Sequence, residues 1–347
     1  MKRFLLTGTG LLILAILPNF LAGILRFYAG DRIPFRIHTD QDLAWKLKHN
    51  TASFKQYPVQ SVADMSLQPI HSSNILRIDD PFGFSNQSEN RSPQILYSGD
   101  SFMNDPHTAT DEGYQARTNR LLGFNASYNI GTHECGGFRV FNELTNGYFQ
   151  QKPKLLICEA VERNAWRLFT EGPTELRTRK IKSIPYRLFF SDLILGNNFQ
   201  HFQQSRLFRE PERPKIGTAR NTRNGRVWFL NNQRTEFSAY SLNQMADSMS
   251  LIHDLLAKQQ IQVLFVIAPD KESMYPDLFG QSAIPALQDS LRIRKIPFID
   301  IYHSLTQLDG KAYFPGDTHW NELAIQRLTD SVVHRYRLLM NPKKEKP

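Results

Sequence analysis

The nearly unbroken apolar run Leu155–Val161 constrains the fold more than any other feature of this chain. A strand with one wet face alternates apolar and polar residues. A continuous run is the mark of a strand buried on both faces, as in parallel sheets covered by helices. Gln262–Ala268 is a second such strand. Between the two, Leu242, Met245, Met249, Ile252 and Leu256 fall on one face of a helix over 241–258. The alternation extends in both directions. A strand at Ile95–Tyr97 ends in Gly99-Asp100-Ser101. A helical stretch over 111–122 follows, then a strand at Ala126–Ile130 ending at Gly131, and a helix over 138–150. A shorter strand is expected at Ile296–Ile301. A closing helix runs from Asn321, its N-cap, to about Met340. Alternating strands and helices imply an α/β fold, a parallel sheet with helices on both faces.

Sites in such sheets form at the carboxyl ends of strands. Ser101, Gly131, Glu162 to Asn164 and Pro269-Asp270-Lys271 all fall just after expected strands. Residues 26–90 read as a polar connector with short elements, Pro-rich and Ser-rich towards its end, leading into a domain over 91–342. Residues 165–240 break the alternation and are too long for an ordinary connection. They read as an insertion on the site face, carrying Arg206, Arg209, Arg213, Lys215, Arg220, Arg223, Arg226 and Arg234, with Phe202, Phe208, Trp228 and Phe229 among them. Such a run is by default a solvated surface. The interleaved aromatics also suit a glycan groove, where arginines pair with acidic sugars.

At 347 residues the chain holds one large domain or two small ones, and 41% hydrophobic content excludes a disordered chain. A net charge of +9 points to an anionic partner. The sequence has no zinc-finger spacing, RNP-like segment or basic heptad helix, so nucleic acid is not expected. Two cysteines, Cys135 and Cys158, do not make a disulfide framework; a single bridge stays open. Lys2-Arg3 precedes an uncharged stretch from Phe4 to Leu25, about long enough to span a bilayer. Residues 1–25 are expected to be a signal anchor. A signal peptide cleaved near Ala22-Gly23 is the alternative, although Phe20 fits the −3 position badly. Either one exports the rest of the chain.

Two short motifs carry chemistry: Gly99-Asp100-Ser101-Phe102, and Gly316-Asp317-Thr318-His319-Trp320-Asn321 before the closing helix. A serine hydroxyl is a poor nucleophile until a base takes its proton. The imidazole needs a carboxylate to fix its tautomer and stabilise its charged form. Ser101, His319 and Asp317 supply all three. Asp317 and His319 would also suit a metal, but no third and fourth ligand is visible, so neither metal nor cofactor is expected. His107 and His133 either line the cleft or are ordinary histidines. Asp105 is expected to cap a helix. Lys271 either touches substrate or pairs with a carboxylate.

These motifs resemble the SGNH hydrolase superfamily, and more closely its alginate O-acetyltransferase-like branch (AlgX/AlgJ-like). The resemblance runs over roughly 90–340 and includes Gly-Asp-Ser-Phe at 99–102, Val-Glu-Arg-Asn at 161–164, Ala-Pro-Asp-Lys at 268–271 and Asp-Thr-His-Trp at 317–320, with Asp80-Pro81-Phe82-Gly83-Phe84 upstream. It implies a three-layer, flavodoxin-like fold. It also implies Ser101 as nucleophile, His319 as base and Asp317 as its orienting carboxylate. The oxyanion donors would be the Ser101 N–H, Gly131 and Asn164, with Gly136 or Gly137 as substitutes for Gly131. Val161-Glu162-Arg163-Asn164 replaces the superfamily's Gly-x-Asn-Asp, so either Arg163 or Asn164 faces the site. One residue, not two, separates Asp317 from His319, as suits the acetyltransferase-like branch. Arg163, Lys271 and Trp320 are the expected substrate contacts.

The implied activity is O-acyl, most simply O-acetyl, transfer to an exported polysaccharide. A membrane O-acyltransferase would be the acetyl-donating partner, and the protein would sit in the periplasm, anchored by its N-terminal segment. Two alternatives stand beside it: a carbohydrate esterase on the same triad, and a non-catalytic polysaccharide-binding or assembly factor.

Overall fold

The computed structural model describes residues 55–80, 84–131, 144, 149–170, 217–230 and 235–341. These belong to one compact unit formed by residues 50–178 and 215–347. The N-terminal segment 1–25, most of the expected helix at 138–150, His133, Cys135, Gly136 and Gly137 lie outside the described residues. Among the described residues no helix is long and apolar enough to cross a membrane.

The core is a four-stranded parallel sheet. Its strands, after a leading hairpin of β1 (Lys55–Val59) and β2 (Ile75–Asp79), are β3 (Ile95–Ser98), β4 (Ser127–Asn129), β5 (Leu155–Val161) and, later, Gln262–Ala268. Between them come α1 (Ser101–Asn104), α2 (Tyr114–Leu122) and α3 (Glu162–Thr170). A second hairpin, β6 (Thr218–Thr222) with β7 (Gly225–Phe229), precedes α4 (Ala239–Ala257). The last sheet strand is β8 (Gln262–Ala268). It is followed by α5 (Pro276–Phe279), α6 (Ile284–Ile293), α7 (Ile301–Thr306) and α8 (Glu322–Met340).

The strand order is β4-β3-β5-β8. The chain steps outward from β3 to β4, then returns past β3 to β5 and on to β8. Right-handed crossovers made in opposite directions put their helices on opposite faces. The packing agrees: α2 and α7 lie against α8, and α3 and α6 lie against α4. The reversal between β3 and β5 is the topological switch point, where the carboxyl ends of an α/β sheet leave a crevice. Ser101 follows β3 and Arg163-Asn164 follow β5, so both border that crevice.

Every residue of β5 is buried, and of β8 only Gln262 is exposed. Alternate residues of β5 serve different layers. Leu155, Ile157 and Val161 join one core with Ala324, Ile325, Leu328, Val332 and Tyr336 of α8. Cys158, also buried, points the other way.

One expectation needs correction. Ile296–Ile301 is not a strand: only Phe298 bridges to Phe265, and Ile301 already begins α7. Within residues 26–90, β1 and β2 pair and belong to the folded unit. Within 165–240, the end of α3, the β6–β7 hairpin and the start of α4 belong to this unit, and residues 171–216 and 231–234 lie outside the described residues.

Asn321 caps α8 as expected. Its Oδ1 accepts from Leu323 N at 3.0 Å, and its Nδ2 donates to Lys311 O at 2.7 Å. Asn321→Ala should lower the unfolding free energy by about 1 kcal/mol. Urea unfolding would read this as a lower midpoint at unchanged slope.

Candidate active site

Ser101 is the first residue of α1, directly after the β3 turn. The turn is held from below. Asp100 accepts from Phe102 N at 3.0 Å and from Val161 N at 2.9 Å, while its own N–H donates to Glu159 Oε2 at 3.0 Å. This ties the serine turn to the end of β5. Two glycines permit the close approach. A Cβ on Gly99 would run into the Glu159 carboxylate, and one on Gly131 would lie 2.8 Å from the Met103 carbonyl carbon. Burial pushes both Asp100 and Glu159 upward, Glu159 strongly, where the neighbouring Asp100 carboxylate adds to the rise.

His319 approaches from the opposite end of the chain. Its Nδ1 lies 2.7 Å from Asp317 Oδ1, and its N–H donates to the same oxygen at 2.8 Å. A carboxylate only accepts, so Nδ1 carries the proton and Nε2 holds a lone pair. Nε2 makes no hydrogen bond among the described residues. Phe102 brings the two motifs together. It is 2% exposed, its ring lies 5.2 Å from that of His319 and 5.4 Å from that of Trp320, and the Arg163 guanidinium sits 5.4 Å above it. Ser101 Oγ and His319 are not hydrogen-bonded to each other. Such contacts are often long in free enzymes and tighten with substrate.

Asp317 is fully buried and accepts four hydrogen bonds. Two come from His319; Asp64 N donates to Oδ2 at 2.6 Å, and His107 Nε2 lies 3.1 Å from Oδ2. Burial alone would raise this carboxyl, but the hydrogen bonds from His107 and His319 outweigh it and hold it far below the usual carboxylate range. It is ionised at any working pH. His107, Asp317 and His319 also form a group of three possible metal ligands, where sequence offered two.

The remaining expected residues fall into two groups. Asn164, in the first turn of α3 after β5, is partly exposed, and its side chain has no partner among the described residues. Arg163 reaches the nucleophile's neighbour Phe102 while pairing with Asp270 at 2.5 Å. The others are spent elsewhere. The Gly131 N–H donates to Asn129 Oδ1 at 2.8 Å, so it serves an oxyanion only by giving up that bond. Trp320, 2% exposed, is core packing beneath Phe102 and not a substrate surface. Lys271, 2% exposed, donates to Phe314 O, Pro315 O and Asp317 O at 2.6, 2.8 and 2.9 Å. All its protons hold the His319 loop, and none remains for substrate.

Sequence reasoning missed the contribution of residues 61–77. Asp64 accepts from Thr318 N at 3.0 Å and Thr318 Oγ1 at 2.6 Å, and Met65 N and Ser66 N both donate to Gly316 O. His71 Nε2 lies 2.7 Å from His107 O, and buried Arg77 donates to Asp105 O and, at 3.2 Å, to Thr108 O. Asp105 is a C-cap in the left-handed region, as a short polar side chain tolerates. No local pattern announces these partners, which are single polar residues up to 254 positions from the groups they hold.

Residues 226–346 match the family of SGNH hydrolase-like domains described for the acetyltransferase AlgX. The matched stretch contains Asp317 and His319 and does not include Ser101. The resemblance drawn from the motifs therefore holds over this part of the chain, and acyl transfer or ester hydrolysis is the class of activity it supports. No curated protein matches. Among solved structures, a putative acylhydrolase from Bacteroides fragilis NCTC 9343 aligns at 11% identity and a TM-score of 0.33, over 72% of this chain and 92% of that one. The acetyl xylan esterase Est2A from the rumen bacterium Butyrivibrio proteoclasticus aligns at 10% identity and 0.31, over 78% and 68%. Similarity this low carries no argument about the site.

Lys271 yields a pH test. Burial pushes its ammonium down to about 7, against the pull of Asp317, Asp64 and Glu272. A neutral amine has two protons for three carbonyls. After correction for the intrinsic rate, hydrogen-exchange protection of the Asp317 amide, which donates to Phe314 O, should therefore fall as pH rises through about 7. Lys271→Met should show the low protection at every pH. Protection that is flat with pH in the native chain and unchanged in the variant would contradict this role.

Proposed function

We propose that this protein transfers an acyl group, most simply acetyl, through a covalent intermediate on Ser101. The observation that carries the reading is the Asp317–His319 couple, with Nδ1 fixed by a buried carboxylate and Nε2 open beside the serine turn. His319 Nε2 removes the Ser101 proton as Oγ bonds to the carbonyl carbon of the donor ester. The tetrahedral intermediate collapses, the protonated imidazole gives that proton to the leaving oxygen, and acyl-Ser101 remains. His319 then deprotonates the acceptor hydroxyl, whose oxygen attacks the acyl carbon; as the second tetrahedral intermediate collapses, the imidazolium returns that proton to Ser101 Oγ and the acylated acceptor leaves. Asp317 stays ionised throughout and stabilises the imidazolium.

The Ser101 N–H has no acceptor among the described residues, and the partly exposed Asn164, which follows β5 as Ser101 follows β3, has no side-chain partner among them. These two are the proposed oxyanion donors, with Gly131 joining if Asn129 releases it. Such preorganised donors supply the largest share of catalysis in acyl transfer. An exported polysaccharide is the proposed acceptor and a membrane O-acyltransferase the proposed donor. Membrane attachment through residues 1–25 and a periplasmic site of action complete the proposal, by analogy with the AlgX-type domain it resembles. Water as acceptor makes the same machinery an esterase, since the first half-reaction is shared.

Incubation with p-nitrophenyl acetate should give a burst of nitrophenol and one added acetyl group by intact mass. The burst should vanish in Ser101→Ala and fall by about 10³-fold or more in His319→Ala. Addition of sugar acceptors then separates transfer from hydrolysis. Release no faster than in the two variants, with no adduct, would remove the acyl-serine reading and favour the binding factor.

A further inference from the structure

Asp317 faces two histidines, and the mechanism above uses one. His107 sits on the loop after α1. Its ring lies 5.2 Å from that of His319, and its Nε2 lies 3.1 Å from Asp317 Oδ2. Its other nitrogen, Nδ1, is hydrogen-bonded to the hydroxyl of Ser61, a residue 3% exposed. The loop carrying it is pinned by His71 on His107 O and by Arg77 on the neighbouring carbonyls of Asp105 and Thr108.

We propose that His107 is a positioning residue for Asp317, locked by Ser61 in the tautomer that donates from Nε2. This rests on the acyl-serine reading. The carboxylate accepts only, so Nε2 must hold the proton. The neutral ring then has a lone pair at Nδ1, and the Ser61 hydroxyl donates to it. Every polar atom of the Ser61–His107–Asp317 chain is thereby satisfied without a net charge on His107. The two rings are wired in opposite senses: His319 presents Nδ1 to Asp317 and leaves Nε2 for Ser101, whereas His107 presents Nε2 and buries Nδ1. His107 is therefore not a second base. Ser61, buried and committed to His107, is not a second nucleophile.

The arrangement answers a geometric need. A carboxylate held at Oδ1 alone is free to pivot about its Cβ–Cγ bond, and the His319 ring would pivot with it. Donors at Oδ2, from His107 and the Asp64 N–H, stop that rotation. Misplacing a catalytic group by about 1 Å costs on the order of 10²-fold in rate.

The test compares His107→Ala, His107→Gln and Ser61→Ala in p-nitrophenyl acetate turnover with EDTA present, alongside ¹⁵N-imidazole spectra of the full chain. Gln carries an N–H donor at nearly the position of Nε2. Expected are a fall in kcat of about 10- to 100-fold for the alanine variant with KM changed less than about twofold, recovery of most of that loss in the glutamine variant, and an intermediate loss in Ser61→Ala. The spectra should show His107 protonated at Nε2 and His319 at Nδ1. If His107→Ala does not fold, the other two variants still carry the comparison. Unchanged kcat in all three, a glutamine variant below half of one per cent of native kcat, or His107 protonated only at Nδ1 would overturn the proposal. So would loss of native activity in EDTA with recovery on adding Zn²⁺, because His107 would then be a metal ligand. The expected tautomers in a native chain without turnover would sink the acyl-serine reading and leave the positioning of Asp317 standing.

Discussion

A carboxylate with no exposure to water is the constraint around which this structure is arranged. An isolated buried charge is too costly to survive without partners. Asp317 meets that cost with four N–H donors from three parts of the chain: His319, His107 and the backbone of Asp64. Each donor needs its own support. Lys271 holds the loop from below, Asp64 ties Thr318 from the side, and Arg77 and His71 fix the stretch that carries His107. The leading hairpin is thus part of the site, although it contributes nothing to the central sheet.

The serine side is built on a different principle. There the close approach of backbones matters most, with Gly99 against Glu159 and Gly131 against Met103. Phe102 joins the two sides. Its burial, worth about 1.5–3 kcal/mol, comes from packing against His319, Trp320 and the Arg163 guanidinium together. Stability and alignment therefore depend on the same ring.

Much of the architecture was legible in the sequence because burial on both faces leaves a mark. Leu155–Val161, Gln262–Ala268, the 241–258 helix face and the Asn321 cap all lie where periodicity and capping chemistry place them. The two motifs announced themselves by residue type. Direction was not legible. Lys271 and Trp320 have the chemistry of substrate contacts, yet the fold turns both inward. Asp64, Ser61 and His107 act across separations that no local pattern encodes. Ile296–Ile301 has strand composition but gains only one bridge, because α7 starts at its end.

The central claim is that His319, oriented by Asp317, activates Ser101. A fluorophosphonate probe tests it most directly, since phosphonylation requires an activated hydroxyl and leaves a stable mark on the residue that attacks. Peptide mapping by mass spectrometry should place the adduct on Ser101 alone, with labelling slowed by about 10³-fold or more in Asp317→Asn, where the tautomer of His319 is no longer fixed. Labelling of another residue, or equal labelling of Ser101 in native and Asp317→Asn chains, would contradict the account.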